Sequence, residues 1–185
     1  FFDQEFSEIT EKGSSFILAI LTHARRATTI SPAGFMLAYG SHSANMAALP
    51  RFSPYGESVK IEWALQFIKD NVLDTDNKMI VGSEWTDCLD DLTGKLLSLG
   101  MKRAQVGIVS GEGDLDWKVE MKGGDGDYFA IIDGDVPSKQ RNAIKKAFNE
   151  DKRLKVMLLT QAGYSAISLT GGLSEGQKMF VSCLG

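Results

Sequence analysis

A chain of 185 residues with 43% hydrophobic and 24% charged content is long enough for one domain with a real core, and its composition is ordinary for a soluble globular protein. The formal charge of −4 argues against a broad cationic surface, so nucleic-acid contact would have to come from local clusters such as residues 23–26 and 139–146. No run approaches the roughly 18 apolar residues of a membrane span, and no basic-then-apolar leader opens the chain, which predicts a soluble, intracellular protein without membrane contact. Cys88 and Cys183 stand far apart without metal-type spacing and predict two buried thiols. With only His23 and His42 beside them, a zinc site is not expected. The chain opens on Phe1-Phe2-Asp3 without an initiator methionine and stops just after an apolar run, as a piece of a larger polypeptide would.

Residues 6–29 predict a helix interrupted at Gly13, where Ser14 or Ser15 caps a second segment carrying Phe16, Ile17, Ile20, Leu21 and Ala24 toward a core. Arg25 and Arg26 fall near its C-terminal end, where the helix dipole explains them as well as binding does. Residues 31–55, rich in Ser, Ala, Pro and Gly, have little periodicity and form a surface linker. A helix follows over 57–72, with Val59, Ile61, Trp63, Ala64, Phe67, Ile68 and Val72 as a broad apolar stripe. Residues 78–82 are a short strand. Residues 83–87 then turn into a helix whose core face is Leu89, Leu92, Leu96, Leu97 and Leu99 and which Gly100 ends. Ser83 or Thr86 is placed to cap that helix.

Residues 105–109 and 117–121 alternate or are apolar, and Gly111-Glu112-Gly113-Asp114 between them predicts a hairpin, followed by the Gly-rich stretch 123–126. It is either an inserted β-arm or a lengthened edge of the sheet. Its acidic, Gly-rich character suits a protein partner at 102–126 better than nucleic acid. Residues 128–132 are a buried strand, followed by Asp133-Gly134-Asp135 and a helix starting near Pro137 that turns Ala143, Ile144, Ala147 and Phe148 inward. Residues 154–159 are apolar except for Lys155, as in a strand covered on both faces and therefore central to a parallel sheet. Thr160 ends it. Ligands of open α/β sheets bind beyond the carboxyl ends of the strands, so Thr160, Gln161, Ala162 and Gly163 stand where N–H groups and a hydroxyl can face an anion. An ordinary strand-to-loop turn explains those four residues as well. Residues 178–182 supply one more strand.

Several of these segments share a resemblance. TQAGYSAISLTGG, residues 160–172, resembles the fifth motif of superfamily 2 helicases and SWI/SNF-type ATPases, T-K-A-G-x-x-G-L-N-L-T-G-A. Ala166 stands where that motif has glycine, and Ser168 where it has an Asn or Asp near the nucleotide ribose. KMIVGSEWTDCLDDLTGKLLSLG, residues 78–100, resembles the fourth motif, I-F-S-Q-W-T-D-x-L-D-x-L-x-x-x-L. DGDVPSKQRNAIKKAFN, residues 133–149, is similar to the D-G-S-x-x-x-x-x-R-x-x-x-I-x-x-F-N segment, with Arg141 seven residues after Gly134. SSFILAILTHARRATTISPAG and Ser58-Val59-Lys60 resemble the lead-in and the S-x-K entry of the same lobe, and poxvirus-type nucleoside triphosphatases share the pattern.

The resemblance implies a RecA-like three-layer α/β fold with a mainly parallel sheet. Residues 1–55 would be a helical lead-in and linker, and residues 56–185 the second motor lobe, stopping before the arginine-finger motif. ATP and Mg2+ would be shared with a first RecA-like lobe, and Gly163, Ala166 and Ser168 would line this lobe's side of the cleft. Ser83 and Thr160 would contact phosphates of a nucleic-acid backbone, and Gly134 and Arg141 would face that strand or position the loop that does, on DNA in preference to RNA.

A phosphate-cradling G-x-x-x-x-G-K-[ST] loop is absent from the sequence: the sole Gly-Lys pair, Gly94-Lys95, lies within a predicted helix and precedes Leu96. This chain alone is therefore not expected to hydrolyse ATP. Ile131-Ile132-Asp133 mimics a magnesium-holding strand end, but Gly134 stands where a catalytic glutamate belongs. Asp133 and Asp135 also form an Asp-x-Asp pair, as in metal-dependent transferases, since hard oxygens two residues apart suit Mg2+ or Mn2+. Two further readings thus stand beside the motor lobe: a nonhydrolysing lobe that binds protein or nucleic acid, and a metal-dependent transferase.

Overall fold

The computed structural model describes residues 58–109, 116–161 and 175–184. The lead-in and linker at 1–55, the hairpin tip, and Gly163, Ala166 and Ser168 lie outside the described residues. In chain order the elements are α1 (Val59–Asn71), β1 (Lys78–Ser83), α2 (Thr86–Ser98), β2 (Lys102–Arg103), β3 (Gln105–Val109), β4 (Asp116–Glu120), β5 (Tyr128–Ile132), α3 (Ser138–Glu150), β6 (Leu154–Thr160) and β7 (Met179–Cys183).

Five strands form one sheet in the order β2-β5-β6-β1-β7, and every described pairing in it is parallel. The apolar runs of β1 and β6 are buried along their whole length because helices cover both faces. On one face Met79, Val81, Val156 and Leu158 meet Ile61, Ala64 and Ile68 of α1 and Cys88, Leu89, Leu92 and Leu96 of α2. On the other, Ile80, Met157 and Leu159 meet Ile144 and Phe148 of α3, together with Val106 and Val119 of the hairpin. The result is a three-layer α/β architecture.

Local chemistry sets the helix ends. Ser58 is the N-cap of α1, its Oγ accepting the Ile61 N–H at 3.5 Å. The end of α2 is a Schellman turn: Met101 N–H donates to Leu96 O, Gly100 N–H donates to Leu97 O, and Gly100 takes φ +88°. Leu96 and Met101 are buried together beneath it, supplying the hydrophobic contact that accompanies such a turn.

The structure corrects three expectations and joins the two alternatives of a fourth. The stripe of α1 is narrower than the sequence suggests, for Val59 is 83% and Trp63 53% exposed while Ile61, Ala64, Ile68 and Val72 carry the burial. Cys183 is exposed, because β7 is an edge strand whose alternate residues have no layer over them among the described residues, whereas Cys88 is buried as expected. Neither Ser83 nor Thr86 is the N-cap of α2; that position belongs to Trp85, which makes no side-chain cap bond. Finally, the 102–126 segment does two things. Its first two residues pair in parallel with Tyr128 and Phe129 and lengthen the sheet edge, and its remainder, β3 and β4, is a separate antiparallel hairpin lying on α3.

Candidate nucleic-acid and nucleotide interface

The parallel register decides what stands at the carboxyl edge of the sheet. Ser83 is opposite Thr160, and Ile132 is opposite Leu159, so Asp133 and Gly134 leave the sheet beside Thr160. Arg141 comes from the first turns of α3, which runs back from that edge. The structure thus brings Ser83, Gly134, Arg141 and Thr160 to one end of the fold, in different environments.

Ser83 is fully buried. Its hydroxyl donates to Leu184 O at 2.9 Å and accepts the Trp85 N–H at 3.1 Å, tying the strand end to the turn into α2. Its side chain therefore shapes the rim and does not face solvent there. Beneath it, burial pushes the Cys88 thiol up to about 11, making it an inert core group.

The loop after β5 is built around two side chains. Asp133 Oδ1 accepts the N–H groups of Asp135 at 3.0 Å and Val136 at 3.2 Å, an Asx turn that folds the Asp-Gly-Asp stretch back on itself. Arg141 then threads the loop from below, Nε donating to Val136 O at 2.6 Å and Nη2 to Asp133 O and Gly134 O at 3.1 Å each. The loop's carbonyls thus point inward at a cation, and Gly134 is presented at the surface. An organising role for the Asp133 carboxylate was legible in the Asp-Gly-Asp sequence as turn chemistry rather than as a metal pair. Among the described residues no three His, Cys, Asp or Glu side chains gather as a metal site.

Loop 133–136 delivers the chain into α3 with Pro137 as N-cap, no side-chain cap and no acid in the first turn. The first turn of α3 itself thus carries no acid, and the nearest carboxylates are those of Asp133 and Asp135 in the loop before it.

Thr160 is 6% exposed, and its Oγ1 has no hydrogen-bond partner among the described residues. A hydroxyl left this way costs about 1–3 kcal/mol unless water or a ligand supplies the bond. By strand alternation it lies on the same face as Ser83, toward α2.

The opposite, amino edge carries two buried lysines whose chemistry is spent internally. Lys78 is 3% exposed; its ammonium donates to the end carbonyls of α3, to Asp151 O at 3.0 Å and also to Phe148 O, and lies 5.0 Å from the Phe148 ring centroid. It supplies the positive charge that the last turn of α3 lacks in its own sequence. Burial, with Lys155 nearby, lowers it from 10.5 to about 8, Asp151 acting against the shift. Lys155 donates to Thr75 O and lies 4.0 Å from the Asp76 carboxylate.

Among the described residues no helix is long and apolar enough to cross a membrane. No protein-family model matches the sequence, and no curated protein matches it significantly. Among solved structures, the Sulfolobus solfataricus SWI2/SNF2 ATPase C-terminal domain is similar at 15% identity and a TM-score of 0.59, over 99% of this chain and 71% of that one. The C-terminal part of the Fun30 ATPase domain matches at 19% identity and a TM-score of 0.44, over 68% of this chain and 41% of that one. This chain thus spans less than half of the Fun30 chain and about seven-tenths of the Sulfolobus one. The order of its parallel strands, the placement of its three helix-bearing segments and this likeness agree: the chain has the RecA-like fold of a SWI2/SNF2 ATPase C-terminal domain.

Proposed function

We propose that the chain is the second motor lobe of an ATP-dependent nucleic-acid translocase or helicase, supplying contacts to a nucleic-acid backbone and one wall of an ATP cleft. The observation that carries this reading is the carboxyl edge of the sheet. There a buried hydroxyl with no partner among the described residues, an arginine-braced loop and a helix N-terminus without a side-chain cap stand at one edge. Each presents a donor or positive potential, and such groups hold successive phosphates of one strand without reading bases. Gly134 and the start of α3 make the outward contacts, Thr160 meets a phosphate oxygen that reaches the strand ends, and Ser83 and Arg141 hold the surfaces in place. Binding is then sequence-independent and weakens steeply with salt. Following the SWI/SNF-type likeness, the strand is DNA in preference to RNA.

Among the described residues no three His, Cys, Asp or Glu side chains gather as a metal site, although Asp133 and Asp135 stand in the loop at this edge. ATP and Mg2+ are therefore held chiefly by a first RecA-like lobe, and Gly163, Ala166 and Ser168 contribute this lobe's share of the wall. The nucleotide supplies the energy of the stepping motion through closure between lobes. This chain by itself hydrolyses nothing: a steady-state phosphate-release assay on the 185 residues gives buffer background. Turnover above it that disappears with Asp133→Ala would restore the Asp-x-Asp metal reading.

The decisive experiment is Arg141→Ala in the complete motor, where nucleic-acid-stimulated ATPase falls at least several-fold while the fold is kept. Full stimulation with an unchanged salt slope would remove the nucleic-acid role from this rim. One observation favours a second reading, a nonhydrolysing binding module. Ile108 is 51% exposed and stands directly opposite Trp117 on the hairpin, an apolar pair suited to a protein partner at 102–126. In that case Ile108→Asp abolishes partner binding and leaves salt-dependent nucleic-acid binding untouched.

A further inference from the structure

We draw no further inference here: the strongest candidate, the exposed apolar ridge that Val59 and Trp63 form on α1 and that continues through Phe67 to Phe180 of β7, carries nothing because no described residue shows what covers it.

Discussion

At the two edges of the central sheet, the buried lysines Lys78 and Lys155 contrast with the buried Thr160. At the amino edge, Lys78 and Lys155 are buried charges, and both are consumed by backbone carbonyls: the end of α3 for one, the turn after α1 for the other. At the carboxyl edge Thr160 is equally buried, yet its hydroxyl has no partner among the described residues, and α3 begins without a side-chain cap. The difference teaches how to separate architecture from function in this fold. A buried polar group that is satisfied stabilises the protein, whereas one left unsatisfied costs stability and needs another reason to be there.

The largest expected effect is at the amino edge. Lys78→Ala takes the ammonium from Phe148 O and leaves Asp151 O with only the Leu154 N–H at 3.3 Å, and it strips the stem from the Phe148 ring, so stability to urea should fall by about 2–3 kcal/mol. If the variant unfolds at the wild-type midpoint, the amino edge is not the anchored one and the contrast fails.

Arg141→Ala comes next, at about 1–2 kcal/mol in stability, because its bonds to the carbonyls of loop 133–136 are partly solvent-exposed and water replaces some of them. Arg141→Lys should recover little, since one ammonium cannot reproduce the fork that reaches Val136 O together with Asp133 O and Gly134 O. Equal hydrogen exchange at the amides of residues 134–136 in wild type and Arg141→Ala would show that the loop holds its shape without the guanidinium.

The titration of Lys78 gives a smaller effect of known sign. Its folded value, about 8, lies below the ordinary 10.5, so between those two values the unfolded chain binds a proton that the folded chain does not. This contribution is absent below about pH 8, and it raises stability with pH up to about 10.5, on the order of 1 kcal/mol after solvent screening. The difference between wild type and Lys78→Ala, measured across that window, isolates it. A difference that falls or stays flat would contradict the buried ammonium.

The smallest stability change, and the sharpest test of the contrast, is Thr160→Val. It replaces a hydroxyl with no partner among the described residues by an isosteric methyl, so stability should stay within about 0.5 kcal/mol or rise. Nucleic-acid affinity of the complete motor should nevertheless drop. A stability loss of 2 kcal/mol with unchanged binding would make Thr160 an ordinary structural residue and erase the difference between the edges.

Much of this organisation was legible in the residues. The fully apolar runs at β1 and β6 can be stable only with both faces covered, which is why a parallel sheet followed from composition of the strands alone. Leu89, Leu92 and Leu96 recur at helical spacing and are buried as that spacing requires, whereas Leu97, predicted on the same face, is 51% exposed; Gly100 sits at the left-handed position that ends the helix. The Asp133-Gly134-Asp135 loop and the start of α3 at Pro137 were equally readable, because turn and cap chemistry is local.

What the sequence determined by itself, then, was whatever depends on neighbours a few residues apart: periodicity, caps, turns and the motif order that points to the fold. Tertiary structure alone decided the rest. Two residues at 102–103 became an edge strand only because the open side of β5 was there to pair with them. Val59, Trp63 and Cys183 are exposed because no described layer covers α1 on that side or β7 on its edge, a fact no periodicity contains. Ser83 turned from a solvent-facing contact into an internal tie because Leu184, 101 residues along the chain, brings a carbonyl to its hydroxyl. Lys78 caps a helix that begins 60 residues after it for the same reason: hydrogen bonds and burial are set by proximity in space, and the chain brings those groups together only when the sheet is assembled.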